Sequence, residues 1–374
     1  MNDKRFIKAK IVNSLKKFIE KKYLSSYELS RLTNLATMVS AILVTGKTEL
    51  QKMALGDANA VKHSSKVKNF KRFLMNEHIN MESYFLPFVA PLLSNSAASG
   101  ELVFSIDGSV VGNGCMALMF SVIYKDKAIP VVWHVYKAKK GHLLQKAHRL
   151  LLAALAQTVP GHCRVIITGD GKFDGCEWQQ DILGHGWDYV LRTGKNVNIS
   201  EDSWDDFKAG HVCLQQGQEL FFEHIGFTAK KLKTNPFIWH GKGHQSPLYL
   251  VTNLDFGLEI KRFYKKRFKI EPFFRDQKSH GFHIQKSGLS DPKRLARLLI
   301  ASCLAYVLAI MGGIKALKSK FYDKIARMDG EYLSLFQLGY RFLLYLVDLR
   351  QWRSFSWKTD FMPAQPVTYN YVPF

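Results

Sequence analysis

Acidic residues are scarce in this chain of 374: Asp and Glu total 31 against 53 Lys and Arg, giving a net charge of +22 and a pI near 9.7. Such a deficit points to a polyanionic partner, most commonly nucleic acid. No lipidation motif is present to favour an anionic membrane surface instead. Paired cysteines are missing too. The five cysteines, at 115, 163, 176, 213 and 303, are scattered, odd in number and never spaced C-x-x-C. That excludes a disulfide frame or a zinc ribbon and suits reduced, cytosolic thiols. The start, MNDKRFIKAK, has no apolar segment of the signal-peptide kind. One uncharged run, Leu298 to Ile314, is short for a membrane span and contains Gly312-Gly313, so a buried helix is expected. No internal repeat or low-complexity tract occurs. The segment AILVTGKT (41–48) is not a phosphate loop: Ala41 stands where glycine is required, and no strand precedes it.

What is present is globular, with 47% hydrophobic and 22% charged residues, and long enough for two or three domains. Residues 1–98 read as a helical DNA-binding domain. FIKAKIVNSLKKFIEKKY has apolar residues at helical spacing with lysines between, and TELQKMALGDANAVKHSSKVKNFKRFL reads as helix, turn, helix with a basic second half. From residue 101 the texture changes. ELVFSIDGS, CMALMFSVIYKD and AIPVVWHVYK read as strands, the last two joined by a turn at Lys125 and Asp126. HLLQKAHRLLLAALAQTV is a one-faced apolar helix that includes Leu143 and Leu144. RVIITGD is a buried strand, EWQQDILGHG a helix and WDYVLRT a further strand. This is an α/β sheet of mixed direction. Residues 194–251, with QELFFEHIGF and PLYLVTNL, read as a β-rich insertion. The chain then turns helical, with DPKRLARLLIASCLAYVLAI the strongest apolar helix, and FMPAQPVTYNYVPF reads as an irregular tail.

Two aspartates stand where such sheets concentrate chemistry. Asp107 ends one predicted strand and Asp170 another, with Gly108 after the first and Gly169 and Gly171 around the second. Neighbouring strands lie about 5 Å apart, so adjacent strands would bring the two carboxylates close enough to share a metal. Acids that close repel unless a cation neutralises them, and hard oxygen ligands suit Mg²⁺ or Mn²⁺. Two such ions about 4 Å apart can activate water and stabilise the leaving oxygen of a phosphodiester.

The third carboxylate is sought in YKKRFKIEPFFRDQK (264–278), a basic run containing Glu271. At about 100° per residue, Tyr264, Arg267, Glu271 and Lys278 fall within an arc of roughly 60° on one helix. Pro272 opens an alternative, because proline breaks a helix interior but is welcome in a first turn. The helix then starts near Glu271, with Tyr264 and Arg267 on a preceding segment.

Tyr264, Arg267, Glu271 and Lys278 match in full the Y-(2)-R-(3)-E-(6)-K signature of a large bacterial insertion-sequence transposase family. FSIDGS and ITGDGKF resemble that family's motifs around its first two aspartates. WDYVLRTGK and KSHGFHIQKSGLSDPKRLARLL resemble the segments that follow, so the likeness spans about residues 100–310. It implies a ribonuclease-H-like core in two parts, 99–193 and 252–310, split by the 194–251 insertion and followed by a helical region and tail over 311–374. It implies that Asp107, Asp170 and Glu271 bind two divalent ions, and that Tyr264, Arg267 and Lys278 hold DNA phosphates. It further implies a tryptophan of the insertion, here Trp239, stacked on a displaced base. The expected activity is cut-and-paste transposition through a DNA hairpin. The expected partners are double-stranded DNA, as terminal inverted repeats and target, and a second copy of the chain, with no membrane. One departure stands out: the family often has arginine after its second aspartate, where this chain has Gly171. That makes Asp174 a rival to Asp170. A nuclease of the same fold without strand transfer, and a non-catalytic DNA-binding derivative, are the alternative functions.

Overall fold

The computed structural model describes residues 25–57, 59–124, 127–138, 145–200, 206–255, 257–326 and 333–349. The expected helix in FIKAKIVNSLKKFIEKKY, the Lys125–Asp126 turn, Leu143, Leu144 and the irregular tail lie outside them.

Helix α1 (Ser26–Thr45) begins with a capping box: the Ser25 hydroxyl accepts from Glu28 N, and the Glu28 carboxylate accepts from Ser25 N. It ends at Gly46, whose φ of 63° suits glycine. The segment AILVTGKT therefore closes a helix, without the strand that a phosphate loop needs. Helices α2 (Leu50–Gly56), α3 (His63–Met75) and α4 (Leu86–Ala97) follow. In α3, Val67, Phe70, Phe73 and Leu74 turn inward, while Lys68, Lys71 and Arg72 stay exposed.

Strands β1 (Glu101–Gly112), β2 (Cys115–Tyr124) and β3 (Lys127–Lys137) form an antiparallel meander. Helix α5 (Gln145–Ala156) leads to β4 (Arg164–Gly169), parallel to β1, and α6 (Cys176–Leu183) leads to β5 (Asp188–Arg192), parallel to β4. Short strands β6 (Asn198–Ser200), β7 (Phe207–Lys208), β8 (Glu219–Phe221) and β9 (Ile225–Phe227) precede β10 (Leu232–Trp239) and β11 (Leu248–Thr252). The sheet runs β3-β2-β1-β4-β5-β11-β10-β9-β6-β7, with β8 on β10. This is the mixed, ribonuclease-H-like sheet with flanking helices that the sequence led us to expect. Strand β11 pairs antiparallel with β5, so the strands after residue 194 continue the same sheet.

The parallel strands are apolar on both faces, as strands covered on both sides must be. Leu102, Phe104, Ile106, Val165, Ile167, Tyr189 and Leu191 enter a large core. The alternate residues Val103, Ile166 and Val190 enter a second core with Phe237 and Leu250. Each such side chain contributes about 1.5–3 kcal/mol on leaving water. Helix α7 (Leu258–Arg267) lays Ile260, Phe263 and Tyr264 on the second core. After α8 (Ile270–Gln277), α9 (Pro292–Leu317) runs through the large core and packs on α10 (Leu335–Asp348). Helix α9 is long and apolar enough to cross a membrane, yet 78% of its most apolar window is buried inside the protein. Arg297 of α9 donates to the carbonyls of Leu74 and Ile79, at 2.8 and 3.2 Å, and ties the first helices to the same body.

Candidate active site

Asp107 does not end its strand. It is the seventh residue of β1, which continues to Gly112. The expectation fails because β1 has two partners of different reach: β4 pairs only as far as Ile106, while β2 pairs along to Gly112. Asp107 therefore sits where the parallel ladder stops and one side of β1 opens. The register there is informative. Ile106 pairs with Gly169, and Gly169 with Leu191. One step further along, Asp107 of β1, Asp170 just past the end of β4 and Arg192 of β5 come level. By alternation Asp107 shares its face with Val103 and Ser105, the face that α7 covers.

Asp170 immediately follows β4 and caps its own turn: Lys172 N donates to Asp170 Oδ1 at 3.0 Å, and Phe173 N to Asp170 O at 3.0 Å. Gly169 is required by crowding, since a Cβ there would lie 3.0 Å from Phe173 Cβ and 3.2 Å from Ile106 Cγ2. At Gly171 the nearest atom to a Cβ is the Arg192 carbonyl at 3.8 Å, so a larger residue would also fit. Asp174 is engaged elsewhere: its Oδ2 accepts the Thr193 hydroxyl at 2.7 Å, and its carbonyl accepts Gln179 Nε2 at 2.6 Å. Burial raises its carboxyl above the usual range.

The YKKRFKIEPFFRDQK segment does not form one helix. Helix α7 ends at Arg267 and α8 begins at Ile270, with Pro272 in its first turn, as the alternative reading holds. Phe268 and Lys269 keep right-handed helical angles at the joint, so the four-residue spacing of Arg267 and Glu271 still brings them together. Arg267 donates through Nη1 and Nη2 to Glu271 Oε1, at 2.8 and 2.9 Å. Arg267 is 8% exposed and Glu271 52%. The Ser105 hydroxyl donates to the Arg267 carbonyl at 3.2 Å, which fixes the end of α7 over β1. Tyr264 is fully buried; its hydroxyl and Arg267 Nε have no well-formed hydrogen bond.

Burial raises the Asp107 carboxyl to about 6. The Gly108 N–H, 2.7 Å from Asp107 Oδ1, pulls the other way, Asp170 adds to the rise, and Arg267 and Lys172 oppose it. Asp107 thus feels both the second aspartate and the guanidinium that holds Glu271. Among the described residues, no three His, Cys, Asp or Glu side chains converge closely enough to hold a metal ion. Asp107 and Asp170 come level in the strand register and influence each other electrostatically, while Glu271 is turned to Arg267.

Lys278 caps α8, and its carbonyl accepts from His283 N at 3.0 Å. Trp239 ends β10, partly buried against the second core. Lys265 Nζ and Lys261 Nζ, both from α7, lie 5.4 and 5.9 Å from its ring centroid, in cation–π range. Sequence reasoning missed Ser105, Lys172, Arg192 and Thr193. Ser105 carried the clearest signal, a hydroxyl two residues before Asp107 on one face of an otherwise apolar strand.

Residues 112–308, rather more than half of the chain, match the family described as "Transposase DDE domain". The match takes in Asp170 and Glu271 and begins just after Asp107. The chain belongs to this family of DDE transposases, enzymes that cleave and transfer DNA. No curated protein matches it. Among solved structures, the cryo-EM structure of the piggyBac transposase synaptic complex with hairpin DNA is 11% identical, with 99% of this chain and 84% of that one covered and a TM-score of 0.44. A likeness that slight has no bearing on function.

Proposed function

We propose that this chain is the cut-and-paste transposase of a bacterial insertion sequence, in the group with the Y-(2)-R-(3)-E-(6)-K signature, acting on double-stranded DNA in the cytoplasm. The observation that carries the reading is the alignment of Asp107 with Asp170 where the β1–β4 ladder ends, beside the Arg267–Glu271 pair. The donor set fits a hard divalent cation. Two carboxylates come level in the strand register, one raised by burial, and a cation relieves both penalties. Asp107 and Asp170 would hold Mg²⁺ or Mn²⁺, two ions in all, with Glu271 as third ligand once it leaves Arg267. When bound, the ions supply Lewis acidity and charge neutralisation at phosphorus.

Arg267, freed of Glu271, exposes two donors suited to a phosphate. Tyr264 and Lys278 hold the adjoining phosphates in the same reading, and Trp239 receives a displaced base once Lys261 and Lys265 leave its ring. The element end is nicked, and the freed 3′-hydroxyl attacks the opposite strand to give a hairpin. The hairpin is reopened, and the same hydroxyl attacks target DNA. Every step is an in-line displacement at phosphorus, so one site serves all, and pairing two ends calls for a dimer on DNA. The test is Mg²⁺-dependent nicking and strand transfer with the DNA that flanks the coding region. Wild type gives joined products, whereas Glu271→Gln gives neither nicks nor joints. Nicks without joints would make the protein a nuclease. A cellular activity that survives Asp107→Ala would make it a DNA-binding derivative.

A further inference from the structure

Tyr264 and Arg267 are both enclosed: the first is fully buried and the second is 8% exposed. In this conformation neither presents a charge to solvent. Arg192 does. It is the last residue of β5, it is exposed, and the pairings Ile106–Gly169 and Gly169–Leu191 bring it level with Asp107 and Asp170. Alternation from Val190, in the second core, turns Arg192 to the face covered by α7. Its strand is held on both sides, by β4 and by Leu250 of β11, which pairs with Arg192 itself. The next residue, Thr193, is fixed by its bond to Asp174. Among the described residues no carboxylate lies within ion-pair distance of the Arg192 guanidinium, whereas Arg267 has one and Arg149, Arg164 and Arg262 have two each. Burial raises the Tyr264 hydroxyl, and the charges of Arg267 and then Arg192 oppose that rise, so the Arg192 field reaches into the site.

We propose that Arg192 is a DNA-binding residue of this site, gripping a backbone phosphate of the strand that lies across the ends of β1, β4 and β5. The assignment rests on the transposase reading above for the identity of the ligand. A guanidinium on a rigid strand end, level with two carboxylates and without an ion-pair partner among the described residues, supplies the attraction that lets a polyanion approach them. It offers a planar fork that matches phosphate.

The experiment measures binding of a short fluorescent duplex by the full chain, with Ca²⁺ in place of Mg²⁺, over a range of KCl. Arg192→Gln is expected to weaken binding about tenfold at low salt and to lower the slope of log K against log[salt] by about 0.9, the signature of one lost phosphate contact. Arg192→Lys restores the slope. An Arg192→Gln slope equal to wild type overturns the proposal. So does weaker binding at an unchanged slope with a lowered melting temperature, which marks a structural role. Mn²⁺-dependent nicking of plasmid by wild type and Asp107→Asn, run in parallel, tests the transposase reading separately: equal nicking or none by both defeats that reading and leaves the slopes to judge Arg192.

Discussion

Replacing Asp107 with Asn removes a carboxyl group that the fold holds at about 6, against 3.8 in an ordinary environment. At 1.36 kcal/mol per pH unit the difference corresponds to about 3 kcal/mol, a ceiling because the residue keeps some solvent contact. The sign follows from which state binds the proton more tightly. The folded-state value lies above the unfolded one, so the native protein keeps its proton between 3.8 and about 6 while the unfolded chain releases it. Stability from this group is therefore fully present below pH 3.8 and is lost as pH rises through about 6. Asparagine resembles the protonated acid and can still accept the Gly108 N–H, so the variant should escape that loss. The assay is urea unfolding followed by tryptophan fluorescence in EDTA, for wild type and Asp107→Asn side by side. The gap in favour of the variant should be near zero at about pH 4 and approach about 3 kcal/mol at about pH 7.5. Mg²⁺ should then close it, because a cation stabilises only the chain that still carries the carboxylate. A gap that does not change with pH would refute the burial account of Asp107. A gap that changes with pH but ignores Mg²⁺ would separate the electrostatics from metal binding.

Other consequences are equally direct. Arg267→Met keeps the stem packed but releases Glu271, so Mn²⁺ should bind the DNA-free protein several-fold more tightly by calorimetry, and an unchanged affinity would show that Arg267 does not compete with the cation. Asp276, buried and raised to about 7, should behave like Asp107 on a larger scale: Asp276→Asn should raise urea resistance by up to about 4 kcal/mol at about pH 8 and by little at about pH 4. Gly339→Ala would drive a Cβ into the Ala309 carbonyl, where α10 meets α9, and should cost about 3 kcal/mol, read as a lowered melting temperature. Ser105→Ala removes the bond that holds the end of α7 and should cost about 1 kcal/mol in the same melting assay.

Much of the core was legible because its signals are local. The apolar run of RVIITGD read as a buried strand, and its closing Gly-Asp marked an acid at the strand end, which the structure places half-buried just past β4. Helix α9 announced itself by its apolar, uncharged middle, and in the structure Asp291 caps it by accepting from Arg294 N. What was not legible depends on partners. Nothing in the α1 sequence says that Leu35, Met38 and Ile42 join the same core as β2, β3 and α9. Trp239 could be found by position, but that two lysines of α7 cover its ring depends on how β10 lies against that helix.

The candidate site divides along the same line. Four signature residues on one arc suggested one helix, yet Pro272 ends that possibility and the chain is joined instead through two residues at helical angles. The pairing of Arg267 with Glu271 survives the break because it needs only one local turn, and local spacing is what sequence encodes. The level of Asp107 with Asp170 and Arg192 needs three strands and two crossovers to be in register. A slip of one residue in β5 would turn Arg192 to the opposite face and leave every local pattern intact. That is why the two aspartates could be picked out by their glycine neighbours while the arginine beside them could not: its meaning lies in which strands flank β5, and only the assembled sheet carries that information.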